Sequence, residues 1–163
     1  MSFPVSSFPV PREDRYFEDY VPGSVHDCGE TSVSEDEIVE FATRYDPQSF
    51  HVDAALAADG PFGGLIASGW HTASLMMRLL ADHYLSTVSS LGSPGVDELR
   101  WVKPLRPNVP LRLRATVADA RLSRSKPDRG LVTTRAELLD PDGDVVFRAT
   151  LLNFLHVRGT SGS

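Results

Sequence analysis

The segment formed by residues 70–84 constrains the fold more than any other part of the chain. It reads Trp-His-Thr-Ala-Ser-Leu-Met-Met-Arg-Leu-Leu-Ala-Asp-His-Tyr and is apolar around most of its circumference as far as Leu80. A helix on a protein surface normally has one apolar and one polar face, so this pattern is typical of a helix covered by other structure. We therefore predict a central core helix, and the rest of the chain must supply its cover.

Segments with the character of β-strands follow this helix. Apolar and polar residues alternate along 111–117, which predicts a strand with one buried face. An earlier segment, 24–32, would complete an antiparallel sheet of about five strands. A long apolar helix followed by strands with short connections predicts an α+β fold in which the sheet curls around the helix. The later strand segments are 96–102, 111–122, 130–139 and 145–157.

The last two strand segments are joined by a sequence with strong turn character. It reads Asp-Pro-Asp-Gly-Asp, from Asp140 to Asp144. Because Asp-Gly after a proline favours a tight reversal of the chain, we predict a β-hairpin here.

Length and composition indicate one globular domain. With 163 residues, 41% of them hydrophobic, the chain can form one ordinary core. We place this domain at residues 16–158, with an extended N-terminal arm at 1–15 and a flexible tail at 159–163. The arm repeats Ser-Phe-Pro-Val, at residues 2–5 and 7–10, and lacks helical or strand periodicity. It would either lie on a neighbouring subunit or be a disordered tail.

A carboxylate and an imidazole come close together before the central helix. Ser34 and Glu37 have the spacing of a capping box, and apolar residues then recur at helical spacing up to Tyr45. Asp46 stands where this helix ends, because a residue followed by proline is disfavoured in the helical conformation. The chain then turns, so we expect Asp46 and His51 to be neighbours on one short loop. Taken singly, each is more typical of a structural residue than of a catalytic one.

The stretch from Asp46 to Gly69 resembles the signature of the MaoC-like dehydratases, a hotdog-fold family that includes the (R)-specific enoyl-CoA hydratases. The family pattern is Asp-any-Asn-Pro-aliphatic-His, followed by a Gly-Gly…His-Gly segment. Asp46, His51 and Gly69 fall on the family's catalytic Asp and His and on the glycine whose amide holds the thioester oxygen. Gln48 and Ser49 replace the usual Asn and Pro. The resemblance implies an antiparallel sheet wrapped around a central helix.

The resemblance also implies an acyl-CoA hydratase or dehydratase, adding or removing water at a 2-enoyl or (R)-3-hydroxyacyl thioester. Asp46 and His51 would hold the water, one accepting its proton and one delivering a proton to C2, with the two roles unassigned. Gly69 would aim its N–H at the thioester oxygen, with the positive end of the helix dipole behind it. Coenzyme A would enter only as part of the substrate, with no metal and no cofactor. Proteins usually cover exposed sheet edges, so we expect a homodimer or a dimer of dimers, and the resemblance implies that the site lies at the dimer interface.

Charge is divided unevenly along the chain. Residues 1–99 hold 4 Arg and 16 acidic residues, a net −12, whereas residues 100–163 hold 12 basic and 6 acidic residues, a net +6. A basic second half suits the phosphates of coenzyme A, although any single Arg is more typical of a solvated strand face. The residues predicted to bind the substrate are Phe50, Gly64, Trp70, Met77, Arg100, Arg121, Arg124 and Lys126.

Two other functions stay open. One is a hotdog acyl-CoA thioesterase, in which a carboxylate near the helix start activates water. The other is a catalytically silent acyl-binding subunit, which the replaced Asn-Pro pair motivates. Asp46 and His51 could bind a metal together with His71, but this is disfavoured. Such a site normally needs a firm third ligand and supporting residues around it, and the sequence identifies neither.

Composition also bears on partners and location. The net charge of −6 argues against general nucleic-acid binding. No apolar run is long enough to span a bilayer, and the N-terminus lacks the basic start and apolar centre of a signal peptide. Cys28 is the only cysteine, in keeping with a reducing compartment. We therefore predict a cytoplasmic protein that binds neither membranes nor nucleic acid.

Overall fold

The structure, a computed structural model, describes residues 3–159. Its strands are β1 (Val25–Thr31), β2 (Gly95–Trp101), β3 (Leu111–Leu122), β4 (Arg129–Leu139) and β5 (Val145–His156), and its helices are α1 (Glu35–Tyr45), α2 (Ser49–Val52), α3 (Ala54–Ala58) and α4 (Gly69–His83). Two 3₁₀ turns, Arg12–Asp14 and Phe17–Asp19, precede β1. Residues 1–2 of the predicted arm and 160–163 of the predicted tail lie outside the described residues.

The five strands form one antiparallel sheet in the order β1-β3-β4-β5-β2, so β1 and β2 are its edges. Helix α4 packs on this sheet, against β1 and β4. Each predicted strand segment agrees with an observed strand to within one residue at either end. The α+β hotdog prediction is confirmed. Among residues 3–159, no helix is long and apolar enough to cross a membrane.

The hairpin predicted between β4 and β5 is also present. Gly143 has a φ of 87°, a left-handed conformation that favours glycine, and its N–H donates to the carbonyl of Asp140 at 2.9 Å. The side-chain Oδ1 of Asp140 accepts hydrogen bonds from the backbone N–H groups of Asp142 and Asp144, at 3.1 and 2.9 Å. Local residue chemistry is sufficient to form this turn.

Helix α4 buries only one of its faces. The buried residues are His71, Thr72, Met76, Leu79 and Leu80. On the other face Trp70 is 59% exposed and Met77 is 43% exposed. The sheet of the same chain therefore covers one side of the helix, and the other side carries exposed apolar residues. The edge strand β2 adds exposed Val96 and Trp101, so the free apolar surface spans helix and strand.

The N-terminal arm packs on its own chain. Residues 3–11 contain no helix or strand, yet the Phe8 ring stacks on the His26 ring with centroids 3.8 Å apart. The N–H of Ser6 donates to the carbonyl of Val25 at the start of β1, at 2.6 Å. Phe8 is partly buried by these contacts, so this part of the arm packs on its own chain, and whether the arm also contacts a neighbouring subunit stays a prediction.

Candidate active site

The end of α1 positions Asp46. At the start of the helix, Ser34 and Glu37 form the predicted capping box, with each side chain accepting the other residue's backbone N–H at 3.2 and 2.8 Å. At the other end the Asp46 N–H donates to the carbonyl of Ala42 at 2.8 Å, but its φ of −155° has left the helix. Pro47 prevents any continuation. The carboxylate thus stands at a defined helix end.

His51 lies on α2, a single helical turn, rather than on the open loop that we expected. The turn closes because the His51 N–H donates to the carbonyl of Gln48 at 2.9 Å. The imidazole is 4% exposed, and its Nδ1 lies 2.7 Å from the carbonyl oxygen of Ile66. Since a carbonyl only accepts, Nδ1 carries a proton. The other nitrogen, Nε2, lies 3.3 Å from Oδ2 of Asp46.

Both carboxylate oxygens of Asp46 accept hydrogen bonds. The Ser68 hydroxyl donates to Oδ2 and the Gln48 side-chain amide donates to Oδ1, each at 2.7 Å. Burial alone would raise the pKa of Asp46, but these two hydrogen bonds and the nearby His51 outweigh it and hold that pKa below its usual value. The carboxylate is therefore kept ionised at neutral pH.

Sequence reasoning took Gln48 only as a departure from the family pattern and missed the role of Ser68. A serine directly before a helix is a common N-cap, and that signal could have drawn attention to Ser68. Its hydroxyl accepts the Trp70 N–H at 3.3 Å while donating to Asp46. One fully buried side chain therefore joins the start of α4 to the carboxylate.

Gly69 is the first residue of α4. Within residues 3–159 its N–H has no hydrogen-bond acceptor, as is usual for the first amides of a helix. The Trp101 indole covers the glycine: its Nε1 donates to the Gly69 carbonyl at 2.6 Å. A Cβ added to Gly69 would lie less than 3.0 Å from the ring. The N–H is thus available to a ligand, and only glycine fits beneath the indole.

Asp46, His51 and Gly69 converge on one cavity of about 420 Å³. Phe50 and Trp70, which were predicted to bind substrate, also line it. Phe50 contacts the Phe62 ring edge to face, and the walls are rich in aromatic and aliphatic side chains. The remaining lining residues include Phe62, Ile66, Thr72, Trp101, Lys103 and Leu105. The cavity combines polar groups at one wall with an apolar interior, as small-molecule sites commonly do.

Two residues predicted to bind substrate do not line this cavity. Gly64 lies beside the guanidinium of Arg106, whose Nη1 is 3.0 Å from the position that a Gly64 Cβ would occupy. Met77 lies on the exposed face of α4, two helical turns beyond Trp70, so it cannot floor the pocket of its own chain. Whether Gly64 or Met77 contacts a substrate stays a prediction.

The four basic residues predicted to meet coenzyme A also lie outside the cavity. Arg100 precedes Trp101 on β2 and so points to the other face of the sheet, with its Nε 3.7 Å from Glu98. Arg121 is the penultimate residue of β3, while Arg124 and Lys126 lie in the β3–β4 connection. That connection is at the opposite end of the sheet from Trp101. Whether they bind coenzyme A stays a prediction.

Much of the positive charge of the second half is used inside the chain. Lys103 lines the cavity and was not singled out from the sequence, yet its Nζ lies 3.2 and 2.5 Å from carboxylate oxygens of Asp140 and Asp144. Other pairs join Arg112 with Asp27, Arg114 with Glu137, Arg129 with Asp128, Arg148 with Glu98, and Arg158 with Asp14 and Asp19. A surplus of basic residues therefore does not by itself create a basic surface.

His71 is a buried packing residue. Its ring stacks on Phe41 of α1, with centroids 4.4 Å apart. Burial lowers the pKa of His71, although the charge of Glu37 opposes this. In the part of the chain that the structure describes, no cluster of three or more His, Cys, Asp or Glu side chains could hold a metal ion.

A hotdog fold with an Asp–His pair and a free amide at the start of its central helix defines a class of protein. The sequence matches the family described as MaoC like domain over residues 20–138. The chain therefore belongs to the MaoC-like dehydratase family of hydratases and dehydratases.

The chain is also similar to individual proteins from other organisms. The crystal structure of a MaoC-like dehydratase from Rhodospirillum rubrum superposes with a TM-score of 0.82 at 37% identity, covering 88% of this chain and 98% of that one. Uncharacterized protein YdeM of Bacillus subtilis is 28% identical over 109 residues, which are 67% of this chain and 77% of YdeM. The 3-hydroxyacyl-thioester dehydratase Z of Mycobacterium tuberculosis is 36% identical over 89 residues, which are 52% of this chain and 56% of that protein.

Proposed function

We propose that this protein is an acyl-CoA hydratase or dehydratase of the (R)-specific enoyl-CoA hydratase type. The observation that carries the proposal is the convergence of Asp46, His51 and the free N–H of Gly69 on one cavity. The similarity to a 3-hydroxyacyl-thioester dehydratase of Mycobacterium tuberculosis supports the same type of reaction. The chemistry follows from what each group can do in that position.

Hydration of a 2-enoyl thioester adds a water oxygen to C3 and a proton to C2. A water between the Asp46 carboxylate and Nε2 of His51 would lose its proton to this pair as its oxygen bonds to C3. Asp46 is suited to accept, because the hydrogen bonds from Ser68 and Gln48 keep it ionised. The bond of Nδ1 to Ile66 leaves only Nε2 for proton exchange with the cavity. The pair then returns one proton to C2 on the same face, and the protein regains its starting state.

Negative charge develops on the thioester oxygen as the thioester takes on enolate character in the transition state. The Gly69 N–H would donate to that oxygen, with the positive end of the α4 dipole behind it. Losing one such donor typically slows a reaction by about 10²- to 10³-fold. This arrangement needs no charged side chain at the oxyanion.

Coenzyme A would be held mainly by a second copy of the chain. The edge strand β2 and the apolar residues Trp70 and Met77 of α4 are free in one chain, which suits a two-fold homodimer. If two β2 strands pair antiparallel, the cavity end of one sheet meets the opposite end of the partner's sheet. That end carries Arg121 and Lys126, so the basic connection would approach the coenzyme A phosphates from the partner.

Incubation of the pure protein with crotonyl-CoA tests the proposal. Hydration removes the ultraviolet absorbance of the conjugated thioester and releases no thiol, which a thiol reagent measures in parallel. Release of free thiol would instead support a thioesterase, and absence of both signals across acyl chain lengths would support a silent acyl-binding subunit. Asp46→Asn is the matched control, because it changes one atom of the proposed pair and should remove the signal.

A further inference from the structure

The side chain of Trp101 joins the edge of the sheet to the first peptide of the central helix. Trp101 ends β2, and its Nε1–H donates to the carbonyl oxygen of Gly69 at 2.6 Å. The indole itself is held from both sides: it contacts the Trp70 ring edge to face at 5.3 Å, and it lies 6.5 Å from the buried ring of Phe147 on β5. The position of this ring is thus set by helix and sheet together.

The peptide that follows Gly69 is fixed at both of its polar ends. Its carbonyl accepts from Trp101, and its N–H, which belongs to Trp70, donates to the Ser68 hydroxyl at 3.3 Å. The free Gly69 N–H lies on the preceding peptide, separated from this fixed unit only by the φ and ψ rotations of Gly69. Ends of helices fray, so an amide in the first turn would otherwise vary in direction.

Glycine is needed at position 69 because of Trp101 and not because of the backbone. Gly69 is absent from the residues with positive φ, so its conformation is open to any residue. A Cβ there would meet the indole atoms Cε2, Nε1 and Cδ2 at less than 3.0 Å. The close approach of ring and glycine therefore couples the two positions directly.

We propose that Trp101 is a positioning residue that fixes the Gly69 amide in the direction required of an oxyanion donor. This inference rests on the proposed hydratase function. Stabilisation of a developing oxyanion depends on donors that are oriented before the reaction begins. An amide without a fixed direction loses more of its stabilising effect in the transition state, where the charge develops, than in the bound substrate. Loss of the indole N–H should therefore lower kcat more than it raises KM.

The test is Trp101→Phe, which keeps an aromatic ring against Gly69 and Trp70 but removes the N–H. We expect kcat to fall by about tenfold, the effect of one hydrogen bond, with KM changed by less than about threefold. Glu30→Gln is the matched control: Glu30 lies on β1, at the opposite edge of the sheet, and the substitution weakens an exposed ion pair with Arg112, so both constants should be unchanged. An unchanged kcat in Trp101→Phe, or a change in KM alone, would overturn the proposal.

A second measurement separates this inference from the proposed function. Amide hydrogen exchange and the ¹⁵N-resolved amide signal of Gly69 report its geometry without any substrate. We expect faster exchange and a shifted signal in Trp101→Phe, and neither in Glu30→Gln. If the wild type turns over no enoyl thioester, the hydratase function fails, and the Gly69 signal still decides whether Trp101 positions the amide. A Gly69 signal identical in wild type and Trp101→Phe refutes the positioning role whatever the activity.

Discussion

Replacing Ser68 by alanine removes one hydroxyl that both caps α4 and binds the Asp46 carboxylate. The hydroxyl accepts the Trp70 N–H at 3.3 Å and donates to Oδ2 of Asp46 at 2.7 Å. Ser68 is fully buried, so no water can readily take its place. The substitution should therefore affect the free energy of unfolding and the ionisation of Asp46 together.

The expected loss of stability follows from those two contacts. An N-cap is typically worth about 1 kcal/mol. A hydrogen bond to a charged group is worth about 1.5–3 kcal/mol, and the lower end applies because the Asp46 side chain is 19% exposed and can bind water. Ser68→Ala should thus lower the free energy of unfolding by about 2–3 kcal/mol, and Tm by roughly 5–10 °C for a domain of this size.

The effect of Ser68→Ala on the ionisation of Asp46 should appear in the pH dependence of stability and activity. The pKa of Asp46 is lower in the folded protein than its ordinary value of 3.8. This carboxylate therefore contributes stability above that value, and the contribution is lost as the pH falls through the lower, folded pKa. Without the Ser68 hydroxyl the pKa of Asp46 rises, so part of this contribution disappears at neutral pH. The acid limb of kcat/KM that Asp46 governs should move to higher pH.

Thermal unfolding at pH 7 and a kcat/KM profile against pH for an enoyl thioester measure both effects. Ser34→Ala is the matched control, because Ser34 caps α1 in the same way but contacts no residue of the site. It should lower the free energy of unfolding by about 1 kcal/mol and leave the pH profile unchanged. If Ser68→Ala loses stability but keeps the wild-type acid limb, Ser68 is a cap only and does not hold Asp46 ionised.

Three further predictions concern the site and its assembly. Asp46→Asn and His51→Ala should each lower kcat by about 10²- to 10⁴-fold with the circular dichroism spectrum unchanged, and the double variant should be little worse than either single one, since both act on one water. Gly69→Ala should lose activity because its Cβ meets the indole of Trp101. In a Trp101→Leu background, adding Gly69→Ala should cause no further loss, since the smaller leucine leaves space for the Cβ. Light scattering should give twice the 17.9 kDa chain mass, and affinity for coenzyme A should weaken with salt, less so in Arg121→Gln.

Each of these predictions has a result that contradicts it. Wild-type rates in both Asp46→Asn and His51→Ala would remove the pair from catalysis. Additive losses in the Gly69 and Trp101 cycle would mean that the two positions are not coupled by contact. A monomer at all concentrations, or coenzyme A binding that is indifferent to salt, would argue against a site completed by the partner subunit.

Local sequence signals were sufficient for most of the fold. The capping box at Ser34 and Glu37 and the Asp-Gly turn near Asp140 both appear as predicted, because each depends on contacts within about five residues. Alternation along the strands identified which faces are buried, since side chains on a strand alternate sides. These signals do not depend on what the rest of the chain does.

Contacts between distant residues were beyond such signals. The sequence of the arm gave no sign of the stacking of Phe8 on His26. The basic second half was expected to bind phosphate, yet side chains such as Arg114 pair with carboxylates of their own chain. Pairing of this kind depends on strand register, which composition does not carry.

The sequence by itself determined the order of the strands and of the two long helices α1 and α4, the place where α1 ends, and the presence of an Asp, a His and a helix-start glycine at the family spacing. Only the tertiary structure decided that Ser68 bonds Asp46, that Ile66 fixes Nδ1 of His51, and that Trp101 lies over Gly69. The reason is physical. Helix ends and turns depend on neighbouring residues, whereas proton positions and the direction of an amide are set by groups that meet only when the sheet and the central helix pack together.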